Sequence, residues 1–178
     1  MVLTVEERKI FYSNWLKLLA FVNGKYNIVR DFKNPDNPVG LNINEINKIR
    51  NKLWENCVII DKYIKIVKLS DEDIKIVNSW KRFNKGKYII IKELKKYCIF
   101  LDIDKEILYG VNGISEPFSE MLQSFPLMVE TVLIPFKDKI IYDSLIVCQN
   151  IVFGPNYKKS FKEKYIEIKK EKGIQEML

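Results

Sequence analysis

The stretch Met128–Pro155, MVETVLIPFKDKIIYDSLIVCQNIVFGP, decides how the fold is read. Two runs rich in Val, Ile, Leu and Phe flank Lys137 and Asp138, which is the spacing of a β-hairpin closed by a short turn. With Phe136 opposite Lys139, Ile134 faces Ile141, Val132 faces Asp143 and Glu130 faces Leu145. Glu130 and Asp143 then share one face as a diagonal pair, roughly 7–8 Å apart. A carboxylate among aliphatic neighbours needs a partner or a chemical task, because burying an unpaired charge costs several kcal/mol.

Upstream of the hairpin, short apolar runs at Tyr88–Ile91, Tyr97–Leu101 and Ile107–Val111 have the β-branched and aromatic content of strands, and Cys148–Phe153 reads as one more after it. Their short links predict an antiparallel meander, since parallel crossovers need a dozen or more connecting residues. One interruption, Ile114–Phe125, has the pattern of a short helix led by Ser115. Gly154-Pro155-Asn156 ends the sheet, and Phe161, Tyr165 and Ile168 form the apolar stripe of a last helix.

The N-terminal half changes period. Thr4 and Glu7 have capping-box spacing, and Ile10, Phe11, Trp15, Leu18, Leu19 and Val22 recur at helical spacing until Asn23-Gly24. Residues Asp31–Asn42, DFKNPDNPVGLN, read as a surface loop. Its Asp31 and Asp36 do not match a calcium loop and are read as turn formers. Two helical patterns follow, one from Asn44 through Trp54 and one over Val58–Val67, with their boundary near Asn56. Ser70 with Asp73 then starts a helix running to Trp80, and a basic turn is expected over Lys81–Gly86. The fold expected is α+β: a helical N-terminal half packed on a strongly bent antiparallel sheet or partly open barrel, with a C-terminal helix. Residues 1–178 are read as one domain, with a helical part at 1–82, a sheet part at 83–155 and the last helix at 156–178.

Composition narrows the chemistry. The 178 residues contain no histidine, so Ser-His and Cys-His machinery, histidine bases and histidine-containing zinc sites are excluded within this chain. Three cysteines, Cys57, Cys98 and Cys148, are an odd and widely spaced set, read as reduced and mostly buried thiols. No 18-residue stretch is free of charge, so no membrane-spanning helix is expected, and the first residues lack the pattern of a secretory signal. A soluble, cytoplasmic protein is expected. Gly110 and Gly113 in YGVNG match neither the P-loop nor the dinucleotide spacing, so no cofactor is expected.

The net charge of +7 invites a nucleic-acid partner, but only Arg8, Arg30, Arg50 and Arg82 are arginines. Lysine lacks the bidentate fork that reads guanine and phosphate, which weakens that reading. The densest basic segment is Lys81–Lys96. There Lys81, Arg82, Lys85 and Lys87 are the candidate phosphate contacts, and a solvated edge strand is the structural alternative. The last helix is also lysine-rich, offset by Glu163, Glu167 and Glu171 at i,i+4 spacing. Glu130 and Asp143 are the candidate carboxylate pair, for Mg²⁺ or Mn²⁺ or for divided acid and base roles. Backbone hydrogen bonding is the structural alternative. Tyr142 falls on the opposite face as a core residue, and Asp102 and Asp104 in LDIDKE read as a solvated turn.

The phrases LSDEDIKIVNSWKRFNKGKYIIIKELKKYCIFLD, YGVNGIS, MVETVLIPFKDKIIYDS and FGPNYKKSF together resemble a group of uncharacterised bacterial proteins, over roughly Leu69 to Phe161. Some of that group carry a C-terminal cysteine-rich metal motif of the SEC-C type. The end of this chain, KEKGIQEML, has no cysteine, so the resemblance transfers no zinc site. The group favours glycine near Asp138 and Ser144, where this chain departs. No activity comes with the resemblance.

The reading that follows is a non-catalytic intracellular binding or interaction module, with a protein as the favoured kind of partner. A carboxylate-metal phosphoesterase or nuclease-like enzyme is the first alternative, and a lysine-rich nucleic-acid-binding protein the second.

Overall fold

The computed structural model describes residues 1–30, 32, 42–122 and 124–178. They divide into two compact units, Val5–Lys81 and Met1–Thr4 with Arg82–Leu178. Asp31 and Asp36 lie outside the described residues.

The first unit is helical: α1 (Val5–Tyr26), α2 (Ile43–Glu55), α3 (Ile59–Ile66) and α4 (Asp71–Ser79), followed by a 3₁₀ turn at Trp80–Arg82. Helix α1 runs through Asn23-Gly24, where the sequence predicted its end. It stops instead at Asn27, whose φ of 50° leaves the helical region. The buried Asn23 side chain secures that stop, accepting from Val29 N and donating to Val29 O, both at 2.8 Å. Asn42 and Glu45 form a capping box on α2, and Ser70 caps α4 through Asp73 N. The core is aromatic. Trp15 stacks on Trp54 at 5.9 Å and meets Trp80 edge-on at 5.8 Å, and Phe11 meets Trp80 at 6.0 Å. Asn14 donates to Asp73 at 2.5 Å. Burial raises the Asp73 carboxyl, but hydrogen bonds from Ser70 and Asn14 outweigh it and hold the group below its ordinary range.

The second unit contains β1 (Asn84–Glu93), β2 (Cys98–Asp102), β3 (Ile107–Asn112), α5 (Phe118–Met121), β4 (Leu127–Phe136), β5 (Lys139–Cys148) and α6 (Pro155–Glu171). β1 starts inside the segment expected to be a basic turn. Only β1-β2-β3 form the expected meander. β4 returns to pair with β1, and β3 meets β5 in parallel through Val111↔Ile140 and Asn112↔Ile141. The order β1-β2-β3-β5-β4 thus curls round into a barrel, held at the β3–β5 seam by those two residue pairs. The connection through α5 permits this, carrying the chain from β3 across the barrel to β4. Phe118 seals the interior between Phe100 (5.2 Å) and Tyr142 (5.6 Å). Glu93 fixes α5 by accepting from Phe118 N at 3.1 Å and Ser119 N at 2.9 Å.

The hairpin register holds from Phe136↔Lys139 to Leu133↔Tyr142 and then slips, so that Thr131 pairs with Ile146 and Glu130 with Val147. The slip is a bulge in β5 at Asp143–Leu145, where Ser144 has φ 71°. Thr131 Oγ1 donates to Leu145 O across it at 2.7 Å. Residues 149–153, expected as the end of a further strand, have no regular structure. Gln149 N still donates to Met128 O of β4 at 2.9 Å, but the run then leaves the sheet and Val152 is 94% exposed.

Candidate functional site

Helix α6 starts with Pro155, whose missing N–H falls where helices leave N–H groups unpaired. Its stripe Phe161, Tyr165 and Ile168 packs on the outward face of the first three strands, against Ile89, Ile99, Leu101 and Leu108. Each side chain so buried contributes roughly 1.5–3 kcal/mol. At one end Lys164 pairs with Glu106 at 2.7 Å, in the β2–β3 turn. That ion pair pulls the Glu106 carboxyl down and the Lys164 ammonium up. Beyond the helix Gln175 lies along β3, donating to Leu108 O and accepting from Gly110 N, both at 2.8 Å.

Two clefts border this covered face. The first, about 300 Å³, opens between the β1–β2 loop and the β4–β5 turn and is lined by Lys96, Tyr97, Gly110, Asn112, Asp138 and Lys139. Gly110 lets the Tyr97 ring pack closely there, since a Cβ would sit 2.9 Å from that ring and force it to shift. Each lysine in this cleft meets a carboxylate. Lys96 pairs with Glu176 and Lys139 with Asp138 at 3.1 Å. The Lys96 ammonium is raised by its bond to Glu176, and the Asp138 carboxyl is lowered by Lys139. Burial, then Glu176, raises the Tyr97 phenol.

The second cleft, about 190 Å³, runs along α6, floored by Ile91, Pro126, Phe161 and Tyr165 and rimmed by Lys92, Lys158 and Lys162. Through Pro126 and Lys158 it continues into a cavity of about 410 Å³ edged by Gln149, Asn150 and Phe153. Lys92 Nζ stands 4.2 Å from the centroid of Tyr165, close enough for a cation–π contact. Among the described residues none of these three lysines makes an ion pair; the helix's own pairs use Lys159 with Glu163, and Lys164 and Lys172 with Glu106. Tyr157, 65% exposed, lines neither the second cleft nor that cavity; it stacks obliquely beside Phe153 and Phe161 and, with Val152 and Phe153, borders a neighbouring cavity.

The residues singled out in the sequence fall elsewhere. Glu130 is half-buried on β4, directly opposite Lys87 on β1, where facing Cβ atoms lie about 5 Å apart. Asp143 is fully buried in the β5 bulge and is not an unpartnered charge. Because of the bulge the two carboxylates are not diagonal neighbours, and neither lines the clefts described here. Among the described residues no group of three or more Cys, Asp or Glu side chains is placed to hold a metal ion. Lys81 is drawn into an ion pair with Asp61 at 2.7 Å, while Arg82, Lys85 and Lys87 are exposed. Asp102, read as part of a solvated turn, is buried and accepts from Lys105 N at 3.1 Å, whereas Asp104 is exposed. Of the three cysteines only Cys98 is buried, and burial pushes its thiol up; Cys57 is half-buried and Cys148 exposed.

Sequence reasoning treated the α6 lysines as a charged solvent face offset at i,i+4. The signal it lacked was spatial, since Lys92 joins Lys158 and Lys162 only through the packing of α6 on β1. Among the described residues no helix is long and apolar enough to cross a membrane. No protein-family model, curated protein or solved structure matches this chain.

Proposed function

We propose that the chain is a non-catalytic binding module whose ligand is single-stranded nucleic acid. One observation carries the reading: the order β1-β2-β3-β5-β4, with a parallel β3–β5 seam, a bulged β1 shared by two neighbours and a helix between β3 and β4. This is the strand order of the five-stranded Greek-key barrels of OB type. In such barrels the β2–β3 face and the loops beside it hold oligonucleotides and oligosaccharides; here α6 covers that face, so the analogy supports the class of ligand and not its place. The step from barrel to ligand is an analogy of fold, and charge selects between the two ligand classes. A net charge of +7 favours the polyanion.

Scarce arginine argues against base-specific readout, but single-strand binding without sequence preference needs only backbone charge and ring faces. Lysine and tyrosine supply both. The carboxylate-metal reading draws less support, because Asp143 is sealed and offset from Glu130.

Fluorescence anisotropy of labelled dT15 and rU15 against a duplex of equal length tests the proposal. Binding to the single strands that weakens steeply with added salt is the expected result. Absent binding at 50 mM salt, or equal binding to the duplex, contradicts it.

A further inference from the structure

We infer that the strand is held along α6, in the groove of Lys92, Lys158 and Lys162, and not at the barrel's loop cleft. This inference rests on the nucleic-acid reading and locates its site.

The outward β1–β3 face is closed by the apolar seam of Phe161, Tyr165 and Ile168, so a strand reaching it has to displace α6. At the loop cleft a phosphate has to displace Glu176 from Lys96 and Asp138 from Lys139. Along α6, among the described residues, no carboxylate pairs with Lys158 or Lys162. Those two lysines stand one helical turn apart, about 6 Å along the axis, which is the order of the spacing between successive phosphates in an extended strand. Lys92 reaches the same cleft from β1.

Rings for bases stand in and beside the groove. Phe153, Tyr157 and Phe161 form a run of rings, with Tyr157 open to solvent at its outer end. Past Lys158 the groove widens into the cavity edged by Gln149 and Asn150, whose amide-bearing side chains both donate and accept hydrogen bonds. Cations on one rim, rings on the floor and amides at the end suit a short length of single strand, with stacking supplying part of the affinity.

The test compares two charge-reversal pairs by anisotropy with labelled dT15. Lys158→Glu with Lys162→Glu is expected to weaken binding at least tenfold and to reduce the salt slope by about 1.4, at roughly 0.7 for each lost phosphate contact. Lys96→Glu with Lys139→Glu is expected to change affinity less than threefold. Tyr157→Ala is expected to weaken binding roughly tenfold through lost stacking. Replacing Lys158 and Lys162 by Gln keeps chain length and removes only charge, and a weakening in that pair too guards against a fold defect. Loss of binding in the Lys96/Lys139 pair with the α6 pair unaffected overturns the location while leaving the nucleic-acid reading intact. Failure of the wild-type protein to bind sinks that reading and this inference with it.

Discussion

The loop cleft and the α6 groove carry the same residue types, lysine and tyrosine, yet treat their charges oppositely. Around the β1–β2 loop the cations are consumed internally, with Lys96 tying down the segment that follows α6 and Lys139 meeting Asp138. Along α6, Lys92, Lys158 and Lys162 meet rings and solvent. At 4 Å two unit charges interact by about 1 kcal/mol in water and about 4 kcal/mol near a protein surface, so a carboxylate already in place competes directly with an incoming phosphate. A count of lysines does not locate an anion site; a count of lysines without carboxylates does. The acidic residues of the barrel unit are largely turned to structural use, as in Asp102 at its turn and Glu93 under α5.

Both clefts are built on the same barrel, and breaking the barrel has the largest expected effect. Phe118→Ala removes the ring between Phe100 and Tyr142 and is expected to cost about 3–5 kcal/mol in urea unfolding, degrading both clefts together. Intact stability would mean that α5 does not close the barrel.

Next in size is Glu93→Gln, at about 1–2 kcal/mol for weakened charge-assisted hydrogen bonds. Burial raises this carboxyl, but the bonds from Ser119 and Phe118 outweigh it and hold it below its ordinary value. A depressed folded pKa means that the stabilisation is present above the ordinary glutamate range and is lost as pH falls through the folded value. Melting temperature followed from pH 7 downward should therefore drop more steeply in the wild type than in the variant. Parallel acid limbs would contradict the assignment.

Gly110→Ala sharpens the contrast. Its Cβ meets the Tyr97 ring, so the ring has to shift, at about 1 kcal/mol. Affinity for a single strand should stay within twofold, since only the loop cleft is altered. The smallest effect expected is from Glu176→Gln, which frees Lys96 at under about 0.5 kcal/mol in stability, as for exposed ion pairs generally. Binding should tighten by no more than about threefold; a larger gain would show that the loop cleft is a blocked site.

Much of the fold is written locally and could be read. The stripe Phe161, Tyr165, Ile168, the Ser70 cap and the Lys137-Asp138 turn appear where the sequence puts them. What escaped is long-range or depends on unusual backbone. No local pattern announces that β4 returns to β1 or that β3 runs parallel to β5. The β5 bulge is hidden because a serine, not a glycine, takes the left-handed conformation at position 144. The run 149–153 has strand composition but leaves the sheet after Gln149. At the site the deciding pairs are remote in sequence. Lys96 and Glu176 lie 80 positions apart, and Lys92 reaches the α6 groove only through tertiary packing.

The most direct measurement is photo-crosslinking of the full chain to a short oligonucleotide carrying 5-iododeoxyuridine, with the adducts mapped by mass spectrometry. Adducts concentrated on Tyr157 and its neighbours along α6, and suppressed by added salt, are the result predicted here. Adducts at Tyr97 in the loop cleft, or none at all, would contradict it.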